Sequence, residues 1–231
     1  MIKEDIIILC GGNATRLYPL TDRVPKSMLL FNDKPFLKYQ IELLKKKGFN
    51  NIILSVGHLA ENIVRYAKEE NNFNVNVRFV DDGGEPLGTG GAVKKASRIA
   101  TENFFVLNGD SYLDMDYSDM LEKYYKIGCS SMMAVYKNNN ESDKSNVAIK
   151  NGKVIYYKKN PVDETLSYID YGLSIFNKKV FERISAKIFD MEIVNNFMVE
   201  KEQMYAYEVF KRFYEIGSFS GIENFENFIK K

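Results

Sequence analysis

A short apolar run at residues 6–9 ends in a glycine-rich, cation-bearing stretch. It reads Leu9-Cys10-Gly11-Gly12-Asn13-Ala14-Thr15-Arg16-Leu17, followed by Val24-Pro25-Lys26. These residue types can hold a polyphosphate. A glycine turn leaving a buried strand lets backbone N–H groups approach phosphate oxygens closely. Arg16 offers a planar fork, Lys26 a point charge, and Pro25 fixes the approach of the segment carrying Lys26. A glycine turn alone would suit an ordinary strand-to-helix connection; Arg and Lys at this spacing favour phosphate binding. Two commoner phosphate motifs are excluded. There is no G-x-x-x-x-G-K-[ST], and Gly11-Gly12-Asn13-Ala14 lacks the G-x-G-x-x-G spacing.

A second chemical element is Asn108-Gly109-Asp110, at the end of the apolar run FFVL. In open α/β sheets ligands bind at the carboxyl ends of the strands, where a carboxylate can hold Mg2+ against phosphates. The alternative is a turn aspartate capping the next helix. His58, the one histidine, follows a strand and reads as a loop residue rather than a general base.

These groups need a frame, and the hydrophobic pattern supplies one. The run at 6–9 reads as a strand buried on both faces, the mark of a central parallel strand. Pro35 opens a helix that Gly48 stops, with Leu37, Ile41 and Leu44 on one face. Strands follow at 51–56 and 75–80, with a helix over 60–70 between them. A helix over 89–99 and a strand at 104–107 come next. This alternation predicts a doubly wound, mostly parallel sheet. Later, strands at 146–149 and 153–157 flank Asn151-Gly152, a type I′ hairpin signal. A strand at 168–176 and a last helix over 219–229 complete the pattern. The expectation is α/β: one Rossmann-like domain over 1–231. Residues to about 115 form its first half, and mixed strands from about 116 form a second half that covers a pocket.

Composition narrows the class. Lys and Arg (32) nearly cancel Asp and Glu (31), so no global field draws nucleic acid or a membrane surface. No apolar run is long enough to cross a bilayer, and the start MIKEDIIILCGG does not read as a signal peptide. Cys10 and Cys129 form neither a disulfide framework nor a metal spacing, and read as small core residues in a reducing cytoplasm.

Taken in order, the motifs resemble those of the sugar-phosphate nucleotidyltransferase family. GGNATRL with PK is similar to the family's G-G-x-[GA]-T-R-L…P-K. LNGDSYLD resembles its metal motif, LGTGGA its second nucleotide-contacting segment, and FYEIGS its late [WF]-x-[DE]-I-G-[ST] motif. The resemblance covers essentially the whole chain and implies a nucleotide-binding half to about residue 115, a sugar-phosphate-binding half from about 116, and roles for single residues. Leu9, Gly11, Gly12, Thr15 and Asn108 would line the nucleotide site, and Arg16 would bind the departing phosphates. Lys26 would stabilise charge at the reacting phosphate. Gly88, Thr89 and the backbone around Glu85 would read the base. Asp110 would be the main Mg2+ ligand, with Glu215 standing where a second metal-binding acid, usually Asp, is found. Lys158, with Lys159 as the alternative, would hold the sugar phosphate. Gly109, Asp170 and Gly172 would meet the sugar.

EPLGTGGA looks most like the guanylyltransferase branch. That implies GTP as nucleotide donor and heptose or mannose 1-phosphate as acceptor, with cytidylyl and thymidylyl transfer left open. The chain stops soon after the late motif, so the resemblance implies no C-terminal β-helix. A homo-oligomer is possible. One rival is a glycosyltransferase, because Asp114-Met115-Asp116 is a D-x-D. Another is a non-catalytic sugar-nucleotide sensor, against which the presence of Arg16, Lys26 and Asp110 counts.

Overall fold

The structure is a computed structural model, describing residues 1–138, 144–161 and 165–230. The chain opens with β1 (Asp5–Leu9), a small pair β2 (Leu30–Phe31) and β3 (Lys34–Pro35), and α1 (Phe36–Lys46). Then come β4 (Asn51–Val56), α2 (Ala60–Glu69), β5 (Asn76–Asp81), α3 (Gly88–Ser97), β6 (Asn103–Asn108) and β7 (Ser111–Tyr112). The second half holds α4 (Tyr117–Ile127), β8 (Ser131–Lys137), β9 (Val147–Lys150), β10 (Lys153–Tyr157) and β11 (Tyr168–Asn177). It ends with α5 (Lys179–Glu182), α6 (Met191–Glu200), β12 (Met204–Val209), β13 (Tyr214–Glu215) and α7 (Phe219–Ile229).

Nine strands form one sheet in the order β5-β4-β1-β6-β11-β8-β12-β10-β9. The first four run parallel, joined by helical crossovers. From β11 onward the sheet is mixed: β11 is antiparallel to β6 and β8, while β12 is parallel to β8. The doubly wound α/β fold is thus as expected, with the added mixed strands in the second half. Ile6, Ile7 and Ile8 are all fully buried. Ile6 and Ile8 face the core under α1, α2 and α4, and Ile7 faces the core under α3, α5 and α6. Burial on both sides requires an unbroken apolar run, and that run is what made β1 legible. The hairpin turns at Asn151 and Gly152, both with positive φ, as a type I′ turn requires. No helix among the described residues is long and apolar enough to cross a membrane.

A third, smaller core pins the C-terminal helix. Phe225 packs edge-on against Phe31 and Phe36, each 4.9 Å between ring centres, with Ile216 completing the cluster. This anchors β13 beside β7, so that Glu215 pairs with Ser111 and Ile216 N donates to Asp110 O at 2.9 Å.

Candidate active site

Strands β1 and β6 end side by side, with Leu9 opposite Asn108. This is where the strand order reverses, so the chain leaving each strand opens a crevice. Gly109 N donates to Leu9 O at 3.1 Å. A Cβ on Gly109 would lie 2.1 Å from that same oxygen. Glycine here lets two backbones touch, which puts Asp110 next to the glycine turn of Gly11 and Gly12. Gly109→Ala should therefore force the strand ends apart and destabilise the fold by about 1–3 kcal/mol. An unchanged denaturation midpoint would contradict this packing.

The turn carrying Asp110 is clamped from below. Gln40, 1% exposed, donates through Nε2 to Asn108 O at 3.0 Å and to Ser111 O at 2.7 Å. Lys26 Nζ meets Asp110 Oδ2 at 2.6 Å, with the two side chains 22% and 23% exposed. Burial by itself would push the Asp110 carboxyl up, but the Lys26 ammonium outweighs it and holds the carboxyl below the usual carboxylate range. Burial pushes the neighbouring Cys10 thiol up to about 12, so it stays protonated and is no nucleophile.

Around these groups lies a cavity of about 440 Å³, within the range of small-molecule sites. Of the sequence-expected residues it gathers Leu9, Gly11, Gly12, Arg16, Lys26 and Asp110. Gly88, Thr89, Asn108, Gly109, Asp170 and Gly172 line it as well. Gly172 sits at a bulge in β11 with φ +82°, where a Cβ would meet Ser111 Oγ at 2.8 Å. Its N–H donates to Asp170 Oδ1 at 2.8 Å.

Four expected residues are not brought to the wall. Thr15 is exposed on its short helical turn, and Glu85 is exposed while its neighbour Pro86 lines the cavity. Lys158 gives way to Lys159, which follows the end of β10 and lines the cavity with Tyr157. Glu215 is the fourth. Its carboxylate folds back over the start of α7, accepting from Gly217 N and, at 2.6 Å, from Ser218 Oγ. The extra methylene relative to Asp supplies the length for this fold-back. Glu215 still neighbours Asp110: a Cβ on Gly217 would lie 2.8 Å from Glu215 Oε2 and 3.0 Å from Asp110 Oδ2.

Mg2+ is commonly held by one or two carboxylates, with phosphates and waters supplying the rest. Asp110 beside a phosphate cradle fits that donor set. Among the described residues no three His, Cys, Asp or Glu side chains gather into a protein-only metal cage. The D-x-D is used otherwise. Asp114 pairs with Lys47 at 2.6 Å and with Lys211, and Asp116 caps α4 by accepting from Asp119 N at 3.0 Å. Both lie outside the main cavity, which removes the glycosyltransferase's metal motif. His58 is exposed and not on the cavity wall.

Sequence reasoning missed several wall residues. Asp82, just after β5, has a buried Oδ1 without a partner, and burial pushes its carboxyl up. Tyr157, Asp190, Glu192 and Asn195 also line the cavity. The last three come from the start of α6, which the hydrophobic pattern did not reveal. It is held over the cavity by the glycines of α3. Gly90 N and Gly91 N both donate to Phe189 O, at 2.9 and 3.0 Å. A Cβ on Gly90 would lie 2.4 Å from the Phe189 ring. Thr89 Oγ1 accepts from Met191 N at 2.9 Å. The glycines of LGTGG therefore interlock α3 with the segment that enters α6.

Asp170 carries the most perturbed carboxyl in the cavity. Burial raises it from 3.8 to about 6, against the opposing hydrogen bonds from Gly172 and Tyr157. The folded state thus favours the protonated form. Below the unfolded value both states are protonated and nothing is lost. As pH rises towards 6 the folded protein loses stability, and the loss persists above. Asp170→Asn should be more stable than the parent above pH 6 by up to about 3 kcal/mol, and equally stable near pH 3. Denaturation midpoints that differ by the same amount at both pH values would refute this.

A glycine cradle, facing cations and a half-buried carboxylate at the switch point of a doubly wound sheet define the class: an α/β enzyme built around phosphate-bearing substrates. A family model described as nucleotidyl transferase matches residues 5–231, and the chain belongs to that family. It is 32% identical over 196 residues to the D-glycero-alpha-D-manno-heptose 1-phosphate guanylyltransferase of Campylobacter jejuni, covering 85% of this chain and 80% of that protein. It is also 32% identical to mannose-1-phosphate guanyltransferase beta-A of Xenopus laevis, over 91% of this chain but 60% of the longer protein. Among solved structures it is similar to HddC from Yersinia pseudotuberculosis complexed with GMP-PN. There the TM-score is 0.82 and the identity 27%, covering 98% of this chain and 99% of that one.

Proposed function

We propose that this nucleotidyltransferase moves GMP from GTP to a sugar 1-phosphate, heptose or mannose 1-phosphate being favoured, and releases pyrophosphate. It works with Mg2+ in the cytoplasm. The nucleotide occupies the half up to about residue 115, and the sugar phosphate occupies the half from about 116. The observation that carries this reading is one cavity lined by cations from both halves of the chain. Arg16 and Lys26 come from the segment after the glycine turn, and Lys159 comes from the second half of the chain, with Asp170 in the same lining. Two anionic substrates need such an arrangement. The named guanylyltransferase relatives support guanine over other bases.

The chemistry follows from the charges. A sugar-phosphate oxygen is already an anionic nucleophile, so no general base is needed. It forms a bond to the α-phosphorus as the bond to the β-phosphate oxygen breaks, and pyrophosphate leaves from the opposite side. Lys26 stabilises the negative charge that builds on the α-phosphate, and Arg16 holds the departing phosphates. Lys159 holds the sugar phosphate in line, and fixing two reactants in this way can contribute about 7–11 kcal/mol. Asp110, with Glu215 beside it, would hold Mg2+, which when bound neutralises phosphate charge.

A screen of four nucleoside triphosphates against a panel of sugar 1-phosphates, read by pyrophosphate release, tests the proposal. GTP with a manno-configured sugar 1-phosphate should give the highest kcat/KM. Preference for CTP or dTTP would overturn the base assignment, and no release with any pair would overturn the reading as a whole.

A further inference from the structure

The groups described so far bind phosphates and fix one carboxylate, Asp170; they leave most of a sugar's hydroxyls unread. Helix α6 brings two more polar side chains to the same end of the cavity. Glu192 Oε1 accepts the Lys159 backbone N–H at 2.9 Å, which fixes the carboxylate beside the lysine. Glu192 lines the cavity, and no hydrogen bond among the described residues engages its Oε2. Asn195, three residues on and so on the same helix face, lines the cavity as well. It is 4% exposed, and its Oδ1 has no partner. Buried acceptors of this kind are normally satisfied, so the orphan marks a place that expects polar company.

The charge of Glu192 decides what that company is. A carboxylate repels a phosphate, so it does not serve the anionic end of the substrate. It accepts hydrogen bonds, and the hydroxyls of a sugar ring are neutral donors. The position is also rigid, because the Thr89 and Phe189 contacts fix the first turn of α6.

We propose that Glu192 is a specificity-determining residue whose free carboxylate oxygen accepts hydrogen bonds from hydroxyls of the sugar phosphate, with Asn195 supporting the same polar wall. This rests on the proposed sugar-phosphate reaction and adds the residue that discriminates among sugars. The ligand is a polyhydroxylated ring held by its phosphate at Lys159, its hydroxyls turned towards α6.

The test uses Glu192→Gln and Glu192→Ala with the best sugar 1-phosphate from the panel and its monodeoxy analogues. The glutamine keeps an oxygen to accept the Lys159 N–H, so a purely structural role would be rescued by it. Both variants should raise KM for the sugar phosphate about tenfold or more, the scale of losing a charge-assisted hydrogen bond. KM for GTP should stay within about twofold, because the Glu192 carboxylate is held against Lys159, the residue proposed to hold the sugar phosphate. At least one deoxy analogue that is poor for the parent enzyme should be no worse than the full sugar for Glu192→Ala. If the variants discriminate among the analogues as the parent does, or if Glu192→Gln behaves as the parent, the inference is overturned while the proposed reaction stands. A parent enzyme inert towards every sugar 1-phosphate overturns both.

Discussion

Lys26→Ala is expected to lower kcat at least ~100-fold, the scale of removing a preorganised transition-state donor, with a smaller change in KM for GTP. Lys26 Nζ lies 2.6 Å from Asp110 in a site where both side chains are mostly shielded from water. A unit charge acting over about 4 Å at an effective dielectric near 20 is worth about 4 kcal/mol, enough for such a loss. The negative charge Lys26 meets grows during the reaction, so the penalty should fall on kcat rather than on binding. Lys26→Arg should recover only part of the activity, because a planar guanidinium cannot place the compact charge of an ammonium. Steady-state pyrophosphate release measures the loss, and a melting curve establishes that the variant is folded. Turnover within threefold of the parent would remove Lys26 from the reaction.

Asp110→Ala should cause a loss of similar size, at least ~100-fold, together with a weakened response of the rate to Mg2+. Its carboxyl is held low by Lys26, so it stays ionised through the neutral range and is ready to hold a cation. Gln40, Gly109 and Ile216 fix the turn that carries it. A shifted Mg2+ titration in the variant separates loss of the metal ligand from loss of the turn. Because Lys26 and Asp110 form one unit, the double variant should lose less than the sum of the two single losses expressed as free energies. An Asp110→Ala enzyme with normal turnover and a normal Mg2+ titration would show that this carboxylate holds no metal.

Much of the fold could be read along the chain where burial is two-sided or a turn demands a particular residue. The IIIL run gave β1 because both of its faces are covered. Asn151-Gly152 gave the hairpin because only residues tolerant of positive φ close it. The mixed half was harder. Strand β8 reads SMMAVYK, an apolar run too short to tell a strand from a buried helix by periodicity. Helix α6 reads MEIVNNFMVE, rich in β-branched, aromatic and Asn residues of weak helix propensity. Its place comes from packing against α3 and the sheet, as the burial of Val194 and Met198 in the core under α3 indicates.

The sequence by itself determined the family and the doubly wound half, and it singled out Arg16, Lys26 and Asp110, which line one cavity. Each of these depends on local spacing: a strand, a glycine turn, and charged residues a fixed distance beyond. Only the tertiary structure decided that Lys159 rather than Lys158 lines the cavity, that Glu215 turns back onto Gly217 and Ser218, and that the D-x-D is bound up in ion pairs and a helix cap. It alone brought Glu192 and Asn195 in from α6. The physical reason is one of range. A side chain's direction relative to a remote strand depends on how two helices interlock, and here that depends on Phe189 seated against the glycines of α3, about 100 residues earlier in the chain.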